Sequence, residues 1–345
     1  MAPTDPDRQW LVDYAKGQKP DASVAEAALH FARLNLAEDG QKRDIAPYLR
    51  HLDDLADQLR AELARITLQP DFVTLSDIAG LPVDDKEAEP TIEQVVKGLQ
   101  TVIAERNGFQ GDMENYDDMA NADLLQVIER KRGLPVALGL LYIHAAERCG
   151  ITITGIDFPG HFLLRVQANG KRRMIDPFHG GITLGPAELR ELLKSFSGLD
   201  AELEPRHYRP TSNVDILLRL QNNIKVRALR AGELALATRV IEHSLLIAPD
   251  HEGLWHQLGA LYARLDQDHM ALGAFEQFVM RCDDPLHRAR IEAVIEELRE
   301  RLEREVANQD DPTGISAPSE SSDQSHSDPQ QKSNAPIPLF PDLNS

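Results

Sequence analysis

Two polar residues stand out because of where the chain puts them. His161 opens the apolar run His161-Phe-Leu-Leu-Arg-Val166, and Asp176 closes Met174-Ile-Asp176. Both runs have strand composition, and Asn169-Gly170 between them is a turn signal, so a hairpin is predicted. Such a hairpin sets imidazole and carboxylate side by side. A histidine oriented by a carboxylate is the proton-handling half of a thiol acyl-transfer site. The other half is a thiolate at the start of a buried helix, where backbone N–H groups and the helix dipole lower the thiol pKa. A helix start does precede the pair, because Arg132-Gly-Leu-Pro135 leads into an almost wholly apolar run ending at Ile143. Residues 132–138 nevertheless contain no Cys, Ser or Thr.

The remaining candidates are weaker. Cys149 lies fourteen residues beyond Pro135, ~20 Å away at the helical rise, and reads as a small buried hydrophobe. Cys282 is far from it in sequence, so neither a disulfide framework nor a zinc spacing is available. His144, on the apolar helix, reads as a core histidine. His251, Glu252 and His256 are too loosely spaced for a metal site and read as a solvated helix face. Asp112, Asp117 and Asp118 cluster in a loop and are expected to meet water. No P-loop, Gly-rich dinucleotide turn or Ser-nucleophile elbow is present. No metal and no cofactor are expected.

Periodicity gives the elements that must position these groups. Residues 1–20 read as a loose polar lead. Within 21–66, one stripe (Ala28, Phe31, Ala32, Leu36) and a second (Ile45, Leu49, Leu52, Leu55, Ala56, Leu59) predict two packed leading helices. Residues 67–90, with Pro70, Gly80, Pro82 and Pro90, read as a connector. Thr91 is an N-cap for a helix carrying Val95, Val96, Leu99, Val102 and Ile103. A short helix over 122–130, the Pro135 helix, and strands at 151–158, 161–167 and 172–176 follow. Gly180-Gly181 is read as the end of the sheet, and a helix over 186–196 falls in a core placed at 91–205. Residues 212–306 read as helical. Residues 307–345 are too poor in apolar groups to offset chain entropy and are expected to be a disordered acidic tail, with 337–341 as an apolar exception.

Two resemblances follow from named residues. Trp255, Leu258, Gly259, Tyr262, Ala271 and Phe275 match the tetratricopeptide spacing. One period of ~34 residues earlier fall Ile224, Lys225, Ala228, Ala237 and Ile241, with Pro249 closing a repeat. About two repeats would occupy 214–282, capped by a helix over 285–306. Residues 91–182 resemble the transglutaminase-like core of bacterial SirB-type proteins, which pair that core with C-terminal tetratricopeptide repeats. The matching stretches are Gly108-Phe-Gln-Gly-Asp112, Asn121 with Leu124, Val127-Ile-Glu-Arg-Lys-Arg-Gly-Leu-Pro135, Pro159-Gly-His-Phe-Leu163 and Ile175-Asp-Pro-Phe178, and the likeness extends over most of 20–290. It implies an α+β fold: a papain/transglutaminase-like core with leading helices, followed by an all-α tetratricopeptide-repeat domain. Active members carry Gly-x-Cys at the helix start and Gly-Ile about fifteen residues on. Matching Gly150-Ile151 to that mark puts Pro135 in the cysteine's place.

Composition sets the outer limits. The chain has 345 residues, is 42% hydrophobic and carries a formal charge of -19. Such a balance disfavours nucleic acid and anionic membrane surfaces, both of which need clustered cations. The N-terminus lacks the basic start and apolar run of a signal peptide, and a cytoplasmic location is expected. Three readings of the His161–Asp176 pair stay open: a structural hydrogen bond, a ligand pocket with Asn121 and Arg132, or a general base without a thiol. The leading functional expectation is a non-catalytic module that binds a protein partner through its repeats, with Trp255, Tyr262 and Phe275 as contact candidates. The alternative is a hydrolase or acyl-handling enzyme that uses the His–Asp pair alone. The oligomeric state stays open.

Overall fold

The computed structural model describes residues 5–35, 43–68 and 89–310. Most of the expected connector (69–88) and tail (311–345, with 337–341) lies outside these residues. The chain forms two compact units that part between Asp250 and His251.

The expected loose lead contains a helix, α1 (Pro6–Ala15). Asp5 caps it by accepting from the Asp7 N–H at 3.0 Å, and Pro6 takes the first turn, where a missing N–H is harmless. The helix is held by contacts distant in sequence. Asp7, fully buried, meets Nδ1 of His30 at 2.6 Å and the Arg33 guanidinium, both on α2 (Val24–Asn35). Trp10 stacks on the His30 ring at 3.9 Å, and Leu11 enters the core. The second leading helix is α3 (Ala46–Leu68), with Leu52, Leu55 and Leu59 buried along one face.

Thr91 and Gln94 form a reciprocal capping box at the start of α4 (Ile92–Leu99), which continues as a π-helical turn over Gln100–Arg106. Then come β1 (Gln110–Gly111), a 3-10 turn at Met119–Ala122, α5 (Leu124–Arg130) and β2 (Arg132–Gly133), which pairs in parallel with β1. α6 (Pro135–Arg148) begins on its proline, and every residue from Pro135 to Ala146 is buried. An apolar surface on all sides suits a helix walled by α2, α3 and the sheet.

The sheet is an antiparallel meander of β3 (Thr152–Phe158), β4 (His161–Ala168), β5 (Lys171–Asp176) and β6 (Ile182–Leu184). The first three match the expected strands. β6 corrects the expectation that Gly180-Gly181 ends the sheet. Both glycines have positive φ, 71° and 78°, and turn the chain back so that Ile182 pairs with Asp176. Side chains alternate between two cores. Phe162, Leu164, Val166 and Ile175 join the main core around α6, while Ile156, Phe158 and Leu163 pack with Leu189 and Leu193 of α7 (Pro186–Ser197). Gly139 on α6 makes room for Phe162, whose ring edge would lie 2.6 Å from a Cβ there.

The next two helices, α8 (Asn213–Ala231) and α9 (Leu234–Ser244), belong to the first unit rather than opening a separate domain at 212. Ile216, Leu217, Leu220 and Ile224 enter the main core. Buried Asn35 of α2 ties both helices, donating to Gln221 Oε1 at 2.9 Å and meeting His243 Nδ1 at 2.9 Å. The second unit holds α10 (Glu252–Arg264), α11 (Asp268–Arg281) and α12 (Pro285–Asp310). α10 and α11 approach closely because Gly259 lies under the Phe275 ring, 2.7 Å from where a Cβ would stand. No described helix is long and apolar enough to cross a membrane.

Two outcomes are expected. Removing Asp7 leaves His30 and Arg33 without their buried acid, so Asp7→Ala should lose about 3 kcal/mol in urea denaturation. A loss below ~0.5 kcal/mol, the level of a bland surface change, would mean that α1 is not anchored this way. Burial pushes the Lys225 ammonium on α8 down to about 8, whereas the unfolded chain keeps its proton to ~10.4. Between those values the unfolded state binds more protons, so wild-type stability should gain on that of Lys225→Met as pH rises from about 8 to 10. Parallel stability curves for the two proteins would contradict this burial effect.

Candidate functional site

The hairpin places the two predicted residues as the sequence requires. Leu164 pairs with Ile175, so continuing the register sets Asp176 opposite Leu163, and His161 is two residues from Leu163 on the same face. Imidazole and carboxylate are therefore diagonal neighbours. Nε2 of His161 lies 3.0 Å from Asp176 Oδ1, and the two residues are 6% and 2% exposed. The tight turn at Pro159-Gly160 brings β3 straight back into β4, pairing Phe158 with His161. Gly160 has φ 68° and fits against Phe196 of α7, whose ring stacks near His161 at 6.4 Å. From α8, Arg219 donates to the His161 carbonyl at 2.9 Å and fixes the strand end.

A third group completes the cluster and was missed by sequence reasoning. His179 Nδ1 lies 2.7 Å from Asp176 Oδ2, and the Phe178 N–H donates to Oδ1 at 2.9 Å. The signal was slight: a histidine three residues after the aspartate, in a polar turn rather than a strand. The turn is set by Gly181, whose N–H donates to the Asp176 carbonyl at 2.7 Å. Burial pushes the Asp176 carboxyl up, but hydrogen bonds and charge from His161 and His179 outweigh it and hold the group below the usual carboxylate range. Among the described residues, His161, Asp176 and His179 form the one group of three His, Cys, Asp or Glu side chains whose ligand atoms converge, all within 4.8 Å.

The other pocket candidates are engaged elsewhere. Arg132 donates to the carbonyls of Gly108 and Lys131 at 3.2 and 3.0 Å. Asn121, fully buried, donates to the Asn115 carbonyl at 2.7 Å and accepts from the Leu134 N–H at 2.9 Å, so it props the start of α6. No described hydrogen bond joins either residue to His161 or Asp176. Asp112 corrects the expectation of a solvated loop carboxylate. It is 6% exposed, accepts from the Asn115 N–H at 2.9 Å and faces Arg130 at 3.4 Å. The Asn115 backbone, with Asn121 and Arg130, keeps its carboxyl below the usual range despite burial. Asp117 and Asp118 are exposed, as expected, and make surface pairs with Arg230 at 3.3 Å and Arg130 at 3.0 Å.

The thiol half of the chemistry is missing where it would be needed. Pro135 occupies the buried first turn of α6. Cys149 caps the opposite end, donates to the Ala56 carbonyl at 3.4 Å, and has its thiol pushed up by burial. His144 is a core histidine, 2% exposed, with Nδ1 2.8 Å from Ser23 Oγ. His256 packs on the rings of Phe278 and His287. Of the partner candidates, Tyr262 is 5% exposed and Phe275 is fully buried, so both serve packing inside the second unit. Trp255 is half-buried, with the Arg281 guanidinium 5.5 Å over its ring.

Comparison with known proteins places the chain among relatives. The family model of the Transglutaminase-like superfamily matches residues 46–222. A UPF0162 protein of Pseudomonas aeruginosa is 32% identical over 289 residues, which is 82% of this chain and 93% of that protein. Protein SirB1 of Salmonella typhimurium is 28% identical over 232 residues, 66% of this chain and 86% of that protein. A UPF0162 protein of Vibrio cholerae is 33% identical over 180 residues, 52% of this chain. The match spans 66% of the Vibrio protein's own length, just short of two thirds. The solved structure of menin aligns over 79% of this chain and 69% of that one at 12% identity and a TM-score of 0.32, a likeness too low to carry an argument. With its fold, its paired histidine and aspartate, and these relatives, the chain belongs to the SirB-type, UPF0162 branch of the transglutaminase-like superfamily.

Proposed function

We propose that this protein works without thiol chemistry, as a binding module for a protein partner, with the second unit as the contact surface. The observation that carries the reading is the start of α6, where Pro135 stands and no Cys, Ser or Thr lies within residues 132–138. Without a nucleophile held at the helix start, the His161–Asp176 pair has no proton to take in an acyl-transfer step. The α10–α11 pair supports a tetratricopeptide-like surface through its close crossing at Gly259 and Phe275. Because Tyr262 and Phe275 are internal, the reading moves the contact surface to exposed apolar groups: Met270 (53% exposed), Met280 (74%) and Leu286 (74%).

A second reading has one observation in its favour. His179 is half-exposed beside the buried pair, so a bound molecule could approach Asp176 and His161 from that side for general-base chemistry.

Co-purification with the full chain separates the two. On the binding reading, Met280→Asp and Leu286→Asp abolish capture of the partner while leaving the melting temperature within about 2 °C, as surface changes do. His161→Ala keeps capture and lowers the melting temperature, because it strips a hydrogen bond from a buried carboxylate. Capture that depends on His161 and ignores both surface changes would sink the binding reading.

A further inference from the structure

We propose that His161, Asp176 and His179 form a binding site for a divalent transition-metal ion, zinc first among them. The inference rests on the geometry of the cluster and is independent of the partner-binding reading. Two imidazoles and one carboxylate are a donor set suited to late first-row divalent ions, for which nitrogen and oxygen ligands in a three-residue arrangement leave a position for water.

Three features of the structure support it. The first is spacing. Zinc–ligand bonds of ~2.0–2.1 Å put tetrahedral ligand atoms ~3.3 Å apart. Asp176 Oδ1 and Oδ2 lie 3.0 Å from His161 and 2.7 Å from His179, and no pair of ligand atoms in the cluster exceeds 4.8 Å. Closing on an ion requires a small inward shift of one side chain. His179 is the one free to make it, with 44% of its side chain exposed.

The second feature is outer support. Metal-bound carboxylates are held by hydrogen bonds from their surroundings. The Phe178 N–H donates to Asp176 Oδ1, which leaves Oδ2 on the side of His179. The Gly181 N–H fixes the turn that carries both residues, and the carbonyl of His161 is held by Arg219. The third feature is access. His161 and Asp176 are buried while His179 reaches solvent, so an ion has an entry side and a dry floor. The buried Tyr142 hydroxyl, which has no hydrogen-bond partner among the described residues, lies against Gly181 in the same turn.

The site also uses what the fold leaves idle. In a thiol enzyme the histidine is committed to a cysteine. With Pro135 at the helix start no thiol competes for either ring nitrogen.

The test uses the full chain, free of any polyhistidine tag and stripped with a chelator. It is titrated with zinc chloride by calorimetry and with cobalt chloride by visible absorption. One ion per chain should bind, cobalt should give ligand-field bands, and zinc should raise the melting temperature. His179→Ala, at a half-exposed turn position, should fold normally, weaken zinc at least about tenfold and erase the thermal shift. Asp176→Asn should do the same. His256→Ala, which breaks the ring contact between His256 and His287, should bind zinc as the wild type does. Absence of binding, equal binding by wild type and His179→Ala, or loss in His256→Ala alone would each overturn the proposal.

Discussion

A helix that is apolar on every face has to be walled in on every face, and the rest of the first unit follows from that demand by α6. Pro135 to Ala146 are buried without exception. Two leading helices cover one side, and β3 and β4 cover another, with α8 completing the wall. The close fit of Phe162 over Gly139 shows how little slack the arrangement has. Because the sheet is pressed to α6, its strand ends are fixed, and so are the polar groups that hang from them.

That wall also explains why α8 and α9 belong to the first unit. Their spacing resembles the repeat pattern of the segment after residue 250, since any packed helical hairpin needs small residues at its crossings. The faces they present differ, however. Ile216, Leu217 and Leu220 enter the core around α6, and Asn35 of α2 binds both helices through Gln221 and His243. A buried amide that bonds two partners more than 180 residues away cannot be read from local periodicity.

The same boundary between local and distant causes decides what the sequence made legible. The Pro135 helix, the three long strands and the His161–Asp176 pairing were readable, because each rests on alternation, a turn signal or a cap within a few residues. The α1 helix was not, since its polar surface hides a buried Asp7 whose partners lie on α2. β6 was hidden behind two glycines that punctuate most chains as stops but here take positive φ and reverse the strand. His179 and Asp112 were missed for a related reason. Both are polar residues in turns, where the expectation is water, and both owe their role to a neighbour brought in by the fold.

A histidine beside a buried aspartate needs no catalysis to account for it. A carboxylate 2% exposed is unstable unless hydrogen-bond donors surround it, and Asp176 has three: His161, His179 and the Phe178 N–H. Removing the buried His161 leaves that charge short of a donor, so the pair holds together as a structural unit without any thiol at the helix start. That same stability argument is what leaves the cluster suited to a cation. The donors that satisfy this buried negative charge are two imidazoles, whose ring nitrogens are common metal ligands, as the side chains of lysine and arginine are not. A buried Asp176 neutralised by an arginine would have closed this route, and the choice of two histidines keeps it open.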